Sequence, residues 1–348
     1  MKEEQKKDIK SLSFEQLLEF MLKNGEQKFR AKQVYDWLWK KNISDFEQMS
    51  NISSSVKTLL SDNFILNKFV VTYEQKSNDG TFKVGISLWD NSLIEGVLIP
   101  AEERSTACIS TQVGCAMKCS FCATAKLGFS RNLSTSEIFD QVVLLNKYSL
   151  DLFKRGLTNI VVMGMGEPLL NYTNVKEAIT LLTSIDGMNM SPSRITLSTV
   201  GIPKMIKQLA DDQIKYNLAI SLHAASDSIR NEIIPSNINH PLSEISDSLD
   251  YFYKKTNNRI TIEYLLLKNV NDSINDAENL AKFCRRFPVK VNLIEFNKVE
   301  SIPFYPSDSV QIEKFKVYLE SKNMIVNIRR SKGKDIDAAC GQLAGKKR

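Results

Sequence analysis

The chain has 348 residues, is 43% hydrophobic and 25% charged, and carries a net charge of +6. These values are those of a folded globular protein and exclude a disordered or collagen-like chain. Neither an apolar signal segment at Met1–Lys7 nor a run of about 18 apolar residues is present, so a cytoplasmic protein with no membrane partner is expected.

From Leu12 to Asn67, apolar residues recur at helix spacing: Phe14, Leu17, Leu18 and Met21, then Val34, Trp37 and Leu38. Arg30, Lys32, Lys40 and Lys41 lie around the second face, either as a solvated basic surface or as phosphate contacts. From Phe69 to Pro100 the period becomes strand-like. The runs FVVTYEQK and TFKVGISLW are joined by Ser77-Asn78-Asp79-Gly80, and SLIEGVLIP follows Asp90-Asn91, which predicts a short antiparallel meander. From Ser105 onward, β-branched runs (TACISTQ, NIVVMG, RITLSTV, YNLAISLH, RITIEYLLL, VKVNLIEFN) alternate with helical patterns. One helix spans Ser134 to Leu150 and opens on a Ser134–Glu137 capping box; another spans Asp272 to Phe287. Six such units predict an α/β fold, a partial (β/α)6 barrel, with an open doubly wound sheet as the alternative. Either places a site at the carboxyl ends of the strands. The expected divisions are a helical module over 1–67, the meander over 68–104, the barrel over 105–300, and a C-terminal helix, strand and tail over 301–348. Between Ile328 and Arg348 seven Lys or Arg stand against two Asp, by themselves a solvated tail.

Six cysteines, unevenly placed, do not make a disulfide framework. Cys115, Cys119 and Cys122 follow the first barrel strand with the spacing Cys-x3-Cys-x2-Cys. A structural zinc takes four ligands, and His223 and His240, the two histidines, are both about a hundred residues away. Three thiolates suit a [4Fe–4S] cluster with one iron left open to a small molecule. Gly164-Met165-Gly166-Glu167-Pro168 ends the second strand, and Ser198, Ser221-Leu222-His223 and Asn297 end later ones. Taken alone, Glu95 reads as a surface strand carboxylate, Cys108 and Cys284 as buried packing, and Cys340 as an inert tail cysteine.

The triplet after the first strand resembles the radical S-adenosylmethionine (SAM) superfamily. STQVGCAMKCSFCATAKLGF, MGMGEPLLN, LSTVGI, SLHAASDSIRNEIIP, DIDAACGQL and the N-terminal FRAKQVYDWLW closely resemble one branch, the adenine-C2 RNA methyltransferases of the RlmN family. The resemblance spans nearly the whole chain. It implies a radical-SAM barrel, a [4Fe–4S] cluster on Cys115, Cys119 and Cys122, and SAM held by Gly166, Glu167, Ser198, Ser221, Leu222, His223 and Asn297. It further implies a ping-pong reaction with two SAM per turnover. The first SAM methylates Cys340. The second, split at the cluster, gives a radical that activates the S-methyl group for addition to carbon 2. Glu95 then matches the proton acceptor and Cys108 the cysteine that resolves the adduct through a transient disulfide with Cys340.

The partners implied are 23S ribosomal RNA before assembly is complete, the anticodon arm of some tRNAs, and a flavodoxin- or ferredoxin-like electron donor, with the enzyme a monomer. Arg329, Arg330, Lys332 and Lys334 are candidate phosphate contacts around an adenine that must be splayed out of folded RNA. Glu295 and Lys298 flank Phe296-Asn297 where the family often has proline, a departure that bears on local loop shape. The alternatives are the Cfr-type branch, which methylates carbon 8 of the same ribosomal adenosine, a non-catalytic iron–sulfur electron carrier, and a zinc-containing RNA-binding module.

Overall fold

Serine caps set the amino-terminal helices. Ser13 opens α1 (Phe14–Lys23) with a reciprocal capping box to Gln16, and Ser53 caps α3 (Ser54–Asn63). Between them runs α2 (Lys28–Trp39). Leu17, Met21, Val34, Leu38, Val56 and Leu60 are all 1% exposed or less; α1 and α2 pack together along the predicted faces, with Phe14, Leu18 and Trp37 half-buried at their margins. The module is fastened to α4 (Thr135–Phe153): Trp39 meets Phe139 edge-on at 5.2 Å, and the buried Lys10 ammonium lies 2.7 Å from Asp140. Lys32 and Lys40 both reach Asp186, at 2.7 and 3.4 Å, so part of the basic face is a seam within the molecule.

This computed structural model describes residues 6–299 and 302–345. The basic residues Lys346, Lys347 and Arg348 lie outside them. One ten-stranded sheet runs through the molecule. The meander supplies β1 (Val70–Lys76), β2 (Phe82–Ser87) and β3 (Leu93–Pro100), paired antiparallel. The Asp79-Gly80 turn joins β1 to β2, with Gly80 at φ +85°. β3 pairs antiparallel with β4 (Ser105–Cys108), which begins the barrel. Then β5 (Asn159–Val162), β6 (Ile195–Thr199), β7 (Asn217–Ser221), β8 (Ile260–Leu266), β9 (Val289–Glu295) and β10 (Ile325–Arg329) add in parallel, each beside the last. The six expected strands are therefore joined by a seventh, β10. Its residues 325, 327 and 329 are exposed, so it is an edge strand with a thin apolar signature. The outer strands β1 and β10 do not pair with each other, so the barrel has an open side. The Ser134–Glu137 capping box is present as expected, and the helix runs on to Phe153, where Lys154 turns left-handed at φ +55°. Among the described residues no helix is long and apolar enough to cross a membrane.

Candidate active site

Past β4 the chain pairs Gln112–Gly114 with Phe129–Asn132, and this ribbon brackets the cysteine triplet. The loop is seated by apolar packing. Met117 and Phe121 are buried beside Ile233 and Ile234, the Phe121 ring meets the His223 ring edge-on at 4.9 Å, and the Ser120 N–H donates to the Ile233 carbonyl at 3.0 Å. Burial, and then the charge of the neighbouring cysteines, pushes the Cys119 thiol well up; burial raises Cys122 and brings Cys115 to about 12. Three desolvated thiols crowded this way are costly as bare thiolates, a cost that a cationic metal centre removes. His223 is not a fourth ligand. Its Nδ1 accepts from the Leu265 N–H at 3.0 Å, and burial drops its pKa to about 3, keeping the ring neutral. Among the described residues no three His, Cys, Asp or Glu are arranged to hold a single metal ion. A cluster asks for less convergence because each thiolate binds a different iron, so the donor set fits.

A cavity of about 410 Å³ opens at the carboxyl ends of the strands, bordered by Cys108, Cys122, Gly166, Glu167, Ser198, Ser221, His223 and Cys340. Gly166 sits at φ +105°, and a Cβ there would lie 2.6 Å from the Gln112 side chain. The glycine is thus required by the approach of its own chain to the ribbon, whatever ligand it faces. Glu167 is buried; burial raises its pKa, while the N–H groups of Val200 and Leu169 donate to it at 2.9 and 3.0 Å. Ser198 and Ser221 share a hydroxyl contact of 3.1 Å. Leu222 is fully buried, its N–H bonded to the Glu263 carbonyl and its own carbonyl to Arg230, and it does not border the cavity. Asn297 lies just behind the lining Phe296. Its Nδ2 donates to Ser331 Oγ and the Cys340 carbonyl, and its Oδ1 is buried without a partner, an open acceptor of the kind a ligand or water satisfies.

Cys108, 9% exposed, ends β4, and burial together with Cys340 pushes its thiol up to about 12. Cys340 is an exposed residue because it opens onto the cavity; the surrounding walls still desolvate its thiol and raise its pKa. Both are free thiols here, and Cys284 is buried packing as expected.

Two models match the chain: the N-terminal domain of ribosomal RNA large subunit methyltransferases, over residues 7–66, and the radical SAM superfamily, over residues 109–284. A probable dual-specificity RNA methyltransferase RlmN of Christiangramia forsetii is 49% identical over 99% of this chain and 97% of its own length. The dual-specificity RNA methyltransferase RlmN of Oleidesulfovibrio alaskensis is 44% identical over 97% of this chain and 95% of its own. The crystal structure of a radical SAM methyltransferase from Sphaerobacter thermophilus superposes with a TM-score of 0.92 at 35% identity, covering 98% of this chain and all of that one. The chain belongs to the RlmN family. It is thereby a radical SAM RNA methyltransferase, and membership implies a [4Fe–4S] cluster and SAM.

In this RlmN-family chain Glu95 departs from the surface carboxylate expected of it. It is 2% exposed and does not border the cavity. Its Oε1 accepts from the Tyr73 hydroxyl at 2.5 Å and pairs with the buried Lys83 ammonium at 3.1 Å. Its Oε2 accepts the N–H groups of Ala344 and Gly345, at 2.7 and 3.0 Å. The rung Tyr73–Gly85–Glu95 makes this possible: a Cβ on Gly85 would lie 2.2 Å from the tyrosine ring, so the ring crosses over the glycine to reach Glu95. The tail that carries Cys340 is laced down further. Gly341 accepts from the Ala123 N–H at 2.8 Å, Leu343 from the Thr124 hydroxyl at 2.6 Å, and Asp79 from the Gly333 N–H at 2.8 Å. The two residues flanking Phe296-Asn297 belong to this lacing: Glu295 binds Lys334 at 3.0 Å and the Lys298 carbonyl takes Gln342 at 3.1 Å. Arg329, Arg330 and Lys332 stand at the cavity wall.

Four residues around the site were not singled out from the sequence: Tyr73, Lys83, Arg230 and Glu263. Arg230 is 1% exposed and donates to Leu222 O at 3.0 Å, and also to Val200 O and Asn237 Oδ1, tying the ends of β6 and β7 beside Cys119. Lysine and glycine two apart in β2, facing a glutamate across the meander, were the available signal for the Glu95 network.

Proposed function

We propose that this chain methylates carbon 2 of an adenosine in 23S ribosomal RNA and of the adenosine beside the anticodon in tRNA, by a ping-pong reaction through S-methylated Cys340 that consumes two SAM. The observation that carries the reading is the placement of Cys340 and Cys108, both free thiols, on the walls of the one cavity that also holds Cys122. When bound, the cluster supplies the one electron that cleaves SAM. Cys115, Cys119 and Cys122 hold it, and Glu167, Ser198 and Ser221 offer acceptors for the polar groups of SAM. Carbon 2 of adenine offers no nucleophile to an ordinary methyl donor, so a carrier thiol and a radical step are the chemistry the reaction requires. Cys340 accepts the first methyl group after losing its thiol proton. Cys108, on the same cavity wall, then releases the product. Once the adduct has lost its ring proton and passed its unpaired electron back to the one-electron partner, the Cys108 thiolate attacks the Cys340 sulfur. The sulfur–methylene bond breaks as the sulfur–sulfur bond forms, and the freed methylene takes up a proton to become the methyl group. A cellular thiol reduces the disulfide for the next turnover. Glu95 matches the acceptor of the ring proton, a role that requires the Ala344 and Gly345 amides to leave Oε2 so that the carboxylate faces the cavity. Arg329, Arg330 and Lys332 at the rim suit RNA phosphates, and the enzyme works in the cytoplasm with a flavodoxin- or ferredoxin-like electron donor.

Mass spectrometry of ribosomal and transfer RNA, with and without the gene, tests this: 2-methyladenosine disappears from both when the gene is lost. Loss of 8-methyladenosine instead assigns the chain to carbon 8, and no change in either refutes the reading. Cys108→Ala is expected to accumulate a covalent protein–RNA adduct visible on denaturing gels.

A further inference from the structure

Glu263 lies on β8, is 3% exposed and borders the cavity, yet no role falls to it in the reaction above. Its neighbours fix half of it. Asn327 Nδ2 approaches Asn292 Oδ1 at 3.4 Å, which turns the Asn292 amide so that its Nδ2 donates to Glu263 Oε1 at 2.8 Å. Arg329 Nη1 stands 3.7 Å from the same oxygen. The other oxygen, Oε2, is buried and has no partner. A buried carboxylate oxygen left empty is costly, and in a cavity it marks where a donor from a ligand belongs. Across the sheet Glu263 is in register with Ser221, whose hydroxyl touches Ser198. The carboxylate therefore continues the row of polar strand-end groups toward β9.

We propose that Glu263 recognises a ribonucleoside ligand through its vicinal 2′- and 3′-hydroxyls, with Oε2 as the principal acceptor. A carboxylate at a strand end is a recurrent partner for ribose hydroxyls in nucleotide sites. A nucleotide inside an RNA strand has its 3′-oxygen esterified and offers one hydroxyl, whereas a free adenosyl compound offers both. The ligand class is thus an adenosyl small molecule, not the RNA. The inference rests on the reading that this cavity takes SAM.

The test is equilibrium binding of S-adenosylhomocysteine and its 2′,3′-dideoxy analogue to the full-length, cluster-reconstituted protein. The native protein is expected to bind the dideoxy analogue about 10- to 100-fold more weakly, the range for losing charge-assisted hydrogen bonds. Glu263→Ala should weaken S-adenosylhomocysteine similarly and no longer distinguish the two ligands, with Glu263→Gln, which keeps one acceptor oxygen and the side-chain size, in between. Binding of a target RNA hairpin should change by less than about twofold in both variants. Equal binding of the two ligands by native protein, or full discrimination by Glu263→Ala, overturns the proposal while leaving the SAM reading intact. A loss confined to the RNA hairpin assigns Glu263 to the RNA and overturns it too. Failure of native protein to bind either ligand overturns both the proposal and the reading of the cavity.

Discussion

Cys122 and Cys340 border one cavity, but the segments that carry them are held by different forces. The triplet loop is packed: Met117, Phe121, Ile233 and Ile234 are buried together, and a buried arginine braces the strand ends beneath. The tail is laced chiefly by polar contacts at Asp79, Glu95, Thr124 and Asn297, of which Asp79 lies at the surface. Apolar packing is non-directional and costly to open, whereas each hydrogen bond contributes about 1 kcal/mol net and can be exchanged for water. On the proposed reading the division is functional. The loop must hold a cluster still, and the tail must accept a methyl group, join to RNA and let go.

The largest effect tests the chemistry of the tail directly. Cys340→Ala should abolish methyl transfer altogether while leaving the denaturation midpoint and S-adenosylhomocysteine binding near native; product formation by this variant would remove the carrier. Next, Phe121→Ala should cost about 3–5 kcal/mol in denaturant titration, because it opens a hole in the packed loop. A cost below about 1 kcal/mol would mean that the loop is not held by packing. Gly85→Ala forces the Tyr73 ring off Glu95 and should cost about 1–3 kcal/mol, with faster hydrogen exchange at the 344 and 345 amides. Unchanged exchange there would separate the meander rung from the tail.

The smallest effect is on the Asp79 latch. Burial alone would raise its pKa, but hydrogen bonds from Thr81, Ser77 and Gly333 prevail and hold it at about 2. A depressed carboxylate stabilises the fold above its ordinary value near 3.8 and loses that contribution as pH falls through about 2. Because Asp79 is exposed, Asp79→Asn should cost no more than about 1 kcal/mol at neutral pH. The difference in melting temperature from the native protein should vanish as pH drops from 4 towards about 2. A difference that persists at the acid end would show that the carboxylate charge is not what holds the latch.

What was legible in the sequence was whatever rests on near neighbours in the chain. The triplet spacing, the Ser134–Glu137 cap, the Asp79-Gly80 turn and the period-two runs all code for structure within a few residues. β10 was harder to place in the sheet, since an edge strand with alternate residues in solvent carries little apolar pattern. Glu95, Arg230 and Glu263 were misread or missed for another reason. Glu95 has partners up to 250 positions away, as with Gly345, and a charged residue, whether in a strand like Glu95 and Glu263 or on a short helix like Arg230, looks the same from the sequence whether it faces water or a buried counterpart.

The ten-stranded sheet is laid down in chain order, so its two outer edges belong to the beginning and the end of the sheet-forming chain. After β10 the backbone crosses the gap and ties itself to the β1–β2 turn through Asp79 and Asp335. The gap is therefore spanned by a strap held through side-chain hydrogen bonds where a closed barrel would have a strand ladder. Those bonds lie outside the sheet, so parting them would leave every rung of the ladder intact.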